Sequence, residues 1–118
     1  MARHKIAIIG AGNVGATAAH WALSHDLGDV ALVGWAAEVF HGLGMATKDT
    51  SPARLTLFAG YSNGMIGYLP TAEEHARGGY EVDMAPYFYR LDGRMDPDSG
   101  ARAAEQSHEL LARLFSDT

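Results

Sequence analysis

The chain has 118 residues, 47% of them hydrophobic, and a formal net charge of -5 with no run of basic residues. That length supports one hydrophobic core, and the charge excludes the electrostatic footprint of a nucleic-acid or anionic-membrane binder. The absence of cysteine excludes disulfides, thiol catalysis and cysteine-ligated zinc together, and no apolar run reaches the ~18 residues of a membrane span, so a soluble, cytoplasmic protein from recombinant expression is expected.

Lys5 to Gly15 organises the rest. An apolar, β-branched run (Ile6, Ala7, Ile8, Ile9) stops at Gly10, and helical spacing follows at Val14, Ala18, Trp21 and Ala22. Gly10, Gly12 and Gly15 fit the G-x-G-x-x-G pattern of a strand, tight turn and helix, in which bare backbone approaches a pyrophosphate and the helix N-terminus offers its unpaired N–H groups. The candidate dinucleotide contacts are therefore Gly10, Ala11, Gly12, Asn13, Val14 and Gly15. Gly28 is placed to end a helix from about Asn13 to His25, and Asp29 opens a second strand, Val30 to Val33, apolar on both faces as a covered parallel strand is. Glu38 to Thr50 reads as a helix made irregular by Gly42 and Gly44 and closed by Ser51-Pro52.

These residues carry a resemblance. Gly-Ala-Gly-Asn-Val-Gly-Ala-Thr, Leu27-Gly28-Asp29-Val30, Leu32-Val33, Gly42 and Ser51-Pro52 resemble the start of malate and lactate dehydrogenases over residues 5–52. The resemblance implies a Rossmann half that holds NAD. It also puts the carboxylate expected on the adenosine ribose at Gly34, which has none, with Trp35 rather than arginine after it. Gly34 and Trp35 thus mark the adenosine end of the site, and Glu38 is the alternative ribose partner from the next turn.

Arg54 to Ala59 alternates and is rich in strand formers, giving a third strand, read as a neighbour of the first. Asn63-Gly64 and Gly67 make Tyr61 to Pro70 a loop with a short extended piece. Thr71 with Glu74 three residues later forms a capping box for a short helix stopped by Gly78-Gly79, and Tyr80 to Met84 reads as an edge strand. Asp96-Pro97 opens a last helix whose apolar stripe is Ala101, Ala104, His108, Leu111, Leu114 and Phe115.

The run from Phe58 to Thr71, with Glu74 and Gly78 to Val82, is similar to the neutral/alkaline ceramidase family. That similarity implies a zinc held by His, Glu and Tyr side chains, with Tyr68 as the tyrosine ligand. The family's histidine ligands have no counterpart here, so no metal site is expected, and the six scattered histidines (His4, His20, His25, His41, His75, His108) read as surface residues, with His108 partly buried. Tyr61, Tyr68, Tyr80, Tyr87 and Tyr89 read as core.

The expectation is an α/β protein of Rossmann-like βαβαβ type, with a small, mostly parallel sheet of three or four strands and a C-terminal helix. Residues 1–118 form a single domain, 1–52 its Rossmann-like half and 53–118 the segment that completes the sheet. Two signatures meeting at residues 52–55 imply a recombined, engineered or library-derived chimera. Its expected properties are no catalytic residue, no enzyme activity, no required cofactor and, at most, weak NAD or ADP binding at the glycine-rich turn. The alternatives are a small NAD-binding module and a truncated zinc-dependent amidohydrolase-like fragment. Exposed sheet edges predict a homodimer.

Overall fold

The computed structural model describes residues 6–9, 13–25 and 30–116. Three parallel strands form the main sheet: β1 (Ile6–Ile9), β2 (Val30–Gly34) and β4 (Leu55–Ala59), in the order β1-β2-β4. Ala31 sits between Ala7 and Thr56, and Val33 between Ile9 and Phe58. The third long strand therefore pairs with the second and not, as expected from the sequence, with the first. This matches the first half of a dinucleotide-binding sheet, where each crossover places its strand one step further out.

One face of the sheet carries Ala7, Ala31 and Val33, packed with Leu43, Leu69 and Leu111 and with Trp35 and Ala37 just past β2. Helices α2 (His41–Asp49) and α5 (Ser99–Phe115) cover it and lie against each other. On the opposite face Val30 and Leu32 are buried where α1 (Asn13–Ser24) packs on β1 and β2. Ala22 is buried in α1, but Trp21 is 58% exposed and stacks on His25, so the expected stripe is narrower than drawn. Gly28 and Asp29 lie outside the described residues.

The predicted helix over Glu38 to Thr50 is shorter than expected. Glu38–Val39 is a two-residue strand, β3, paired in parallel with β5 (Tyr68–Leu69), and the helix begins only at His41. Backbone pairing with the chain ahead overrides the weak helix preference there: Glu38 N–H donates to Gly67 O at 2.9 Å and Phe40 N–H to Leu69 O at 3.1 Å.

One half of the capping box is observed, with Thr71 Oγ1 accepting from Glu74 N–H at 3.2 Å at the start of α3 (Ala72–Arg77), while the Glu74 carboxylate pairs with Arg77. Tyr80–Met84 is not an edge strand. It is a π-helical turn that runs into α4 (Ala85–Phe88). Gly79, at φ 106, turns the chain, and its N–H donates to Asp83 Oδ2 at 2.8 Å, which favours a coil over an extended segment.

The last helix starts at Ser99, after Asp96 accepts from Asp98 N–H at 2.9 Å in the turn before it. Its buried face is Gly100, Ser107 and Leu111, flanked by Ala103, Ala104 and Phe115, whereas Ala101, His108 and Leu114 are exposed. A small-residue face wins because α5 comes close to its neighbours. A Cβ at Gly100 would lie 2.6 Å from Leu43 Cδ1 and 3.0 Å from Pro70 O. The result is a small α/β Rossmann-like fold with a C-terminal helix.

Candidate functional site

β1 ends at Ile9 and α1 begins at Asn13, so the glycine-rich stretch of the sequence lies between them in the chain, after the carboxyl end of a strand in a parallel sheet. Ligands of open α/β sheets bind at that end. Gly10, Ala11 and Gly12 lie outside the described residues, as do the side chains of Asn13 and Val14, while Gly15 is buried in the first turn of α1.

Gly34 closes β2 beside the end of β1. A Cβ built there would lie 2.8 Å from Ser62 Cβ, 2.9 Å from Ser62 Oγ and 3.2 Å from Ile9 O. The space into which a ribose-binding carboxylate would project holds the Ser62 side chain instead. Ser62 is buried, and its hydroxyl lies 3.2 Å from the carbonyls of both Ala59 and Gly60.

Residues 60–67 reach this place because they fasten onto the chain just past β2. Tyr61 N–H donates to Ala37 O at 2.9 Å, Ser62 N–H to Trp35 O at 2.9 Å, and Ile66 N–H to Ala36 O at 2.8 Å. The segment folds back through Tyr61 at φ 53 and Asn63 at φ 63, and Gly64 and Gly67 also have positive φ. Asn63-Gly64 signals that turn in the sequence. Nothing in the sequence signals which strand end the turn covers.

Trp35 is part of the buried core. Its Nε1–H donates to Ser107 Oγ of α5 at 2.9 Å, and its ring meets Phe58 edge-on at 5.0 Å. Glu38, the alternative ribose partner, is engaged by two phenols. Its carboxylate accepts from Tyr61, whose pKa is pushed up to about 12 by that bond first and then by lost hydration and the carboxylate charge. Tyr68 is raised as well, by burial first and then by its own bond to Glu38. Beyond Glu38 an open groove of about 410 Å³ runs between α2 and the end of β4.

The tyrosines do not form one core. Tyr68 is half-buried and packs edge-on against Phe40, Tyr80 and Tyr89, but Tyr61, Tyr80 and Tyr87 are exposed. The histidines are dispersed, with His75 Nε2 2.8 Å from Met95 O and His108 Nδ1 3.0 Å from Thr50 O; His108 is exposed rather than partly buried. Among the described residues no three acidic or imidazole groups gather to hold a metal ion. No helix among them is long and apolar enough to cross a membrane.

Against known proteins, the chain is similar to malate dehydrogenases over part of its length. It is 56% identical to that of Heliobacterium modesticaldum over 52 residues, 44% of this chain and 17% of the relative. It is 46% identical to that of Desulforudis audaxviator over 52 residues and 52% identical to that of a Roseiflexus species over 50, again 17% and 16% of those proteins. The chain therefore spans about a sixth of the length of the curated relatives it matches. No family profile and no solved structure matches it. The expectation that the chain is not an enzyme is corrected by these matches, because the relatives that share this stretch are named as enzymes. The similarity agrees with the fold, a small parallel sheet with helices between its strands.

Proposed function

We propose that the protein binds a dinucleotide, NAD or its ADP portion, at the glycine-rich turn between β1 and α1. The pyrophosphate lies on the backbone N–H groups of Ala11 to Val14 and on the positive end of α1, with Gly10, Gly12 and Gly15 permitting the approach. The observation that carries this reading is the position of the G-x-G-x-x-G run: directly after β1, directly before α1, at the carboxyl end of a sheet ordered β1-β2-β4. The similarity to malate dehydrogenases supports it. Binding is weak, because Gly34 brings no carboxylate to the ribose and Ser62 fills the room for one. Titration with NADH, competed by ADP, tests the proposal.

Residues 53–118 are, in the same reading, a ceramidase-like segment recombined onto the Rossmann half, which it completes with β4 and α5 to make one domain. The join at residues 52–55 runs from the turn after α2 to the first residue of β4, where a change of parent disturbs little paired backbone. The protein forms a homodimer through β4. Among the described residues that strand pairs on one side only, and Leu55 and Leu57 are 48% and 45% exposed on it.

A further inference from the structure

The groove beyond Glu38 lies outside the glycine-rich turn. Its floor is apolar, built from Phe58, Val39 and Phe40. One wall is a single face of α2, where His41, Met45 and Lys48 recur at helical spacing, and Met45 is 49% exposed although it borders the concavity. Gly44 lets this wall approach the floor, since a Cβ there would lie 3.1 Å from the Phe58 ring. The volume of about 410 Å³ falls within the range of small-molecule sites.

The charges of the groove are unequal in what they have left to offer. Glu38 at one end raises the pKa of the neighbouring phenols, Tyr61 and, second to burial, Tyr68. Lys48 and His41 on the α2 wall take part in none of the ion pairs among the described residues. We infer that this groove is a binding site for a small amphipathic anion, with a flat apolar body against Met45 and Phe58 and a carboxylate, sulfonate or phosphate at Lys48. The body has about the size of a two-ring aromatic. The inference does not depend on dinucleotide binding, because the residues that carry it, Met45, Lys48 and Phe58, belong to α2 and β4.

The probe is anilinonaphthalene sulfonate, followed by its fluorescence, beside N-phenylnaphthylamine, which has a similar apolar body and no anionic group. The sulfonate saturates at one site per chain, and Lys48→Gln weakens it by roughly tenfold, the loss of one charge-assisted hydrogen bond. The neutral dye is unchanged by that variant. Lys48 is exposed while α2 packs through Leu43 and Thr47, so the fold survives the substitution. Met45→Asp, which sets a carboxylate on the wall, weakens both dyes and the sulfonate more. Equal binding of the two dyes with no effect of either substitution would place the dye outside the groove and overturn the assignment. Absence of saturable sulfonate binding would overturn it too.

Discussion

Trp35 and Ser107 stand 72 residues apart in the chain and meet in the interior, the indole N–H donating to the serine hydroxyl at 2.9 Å. This bond ties the end of β2 to α5, and it lets a polar residue sit on the buried face of the last helix. Ser107→Ala leaves a buried indole N–H without an acceptor and should cost about 1–3 kcal/mol of stability. Trp35→Phe/Ser107→Ala removes both partners, so the two losses should fall short of additivity in a denaturant-melt double-mutant cycle. Full additivity would show that the bond contributes nothing.

The contact between Gly34 and Ser62 makes a second prediction. Gly34→Asp brings a Cβ within 2.8 Å of Ser62 Cβ and near Ile9 O, so it should destabilise the fold by about 1–3 kcal/mol through overpacking. Ser62→Gly removes the nearer obstacle and should recover most of that loss in the double variant. Thermal melts of the three variants check this; an undisturbed Gly34→Asp melt would contradict it.

How far the sequence reaches is clear from these two pairs. Ile6–Ile9, Val30–Gly34, Leu55–Ala59 and the capped α3 are legible because each carries its own periodicity, caps or turn residues. The β3 and β5 pieces are two residues each, too short for alternation to register, and Tyr80–Met84 has strand-like composition that local hydrogen bonding at Gly79 overrides. On α5 the apolar stripe misled, because close approach to Leu43 and Pro70 selects Gly100 for the inside and the Trp35 indole holds Ser107 there. At the site, the glycine spacing is readable, but the filling of the ribose position by Ser62 is a long-range event with no local signature.

Glu38 links two titrations. Tyr61, at about 12 against an ordinary 10, and Tyr68, also raised, are held as neutral phenols by the Glu38 carboxylate and, for Tyr68, above all by burial. Since both folded-state values lie above the unfolded ones, the stability they contribute is complete below about pH 10 and is lost as pH climbs through the folded values. Glu38→Gln should lower both transitions in an ultraviolet phenolate titration, with Tyr61 falling further. Unchanged transitions in that variant would remove Glu38 as the cause.

Leu55 and Leu57 lie exposed on the outermost strand of the sheet, on the face opposite Phe58. Light scattering should give a dimer mass for the wild-type chain. Leu57→Lys, which sets a charge on the strand, should give a monomer with an unchanged circular dichroism spectrum. A wild-type monomer mass independent of concentration would contradict pairing through β4.

The most direct test of the account is calorimetric titration with NADH, because Trp35 is buried against Ser107 and poorly placed to report a ligand. One weak, saturable site is predicted, displaced by ADP and abolished by Gly12→Val, which sets a branched side chain where the pyrophosphate meets the backbone. A flat titration, or binding that Gly12→Val leaves intact, would contradict dinucleotide recognition at the glycine-rich turn.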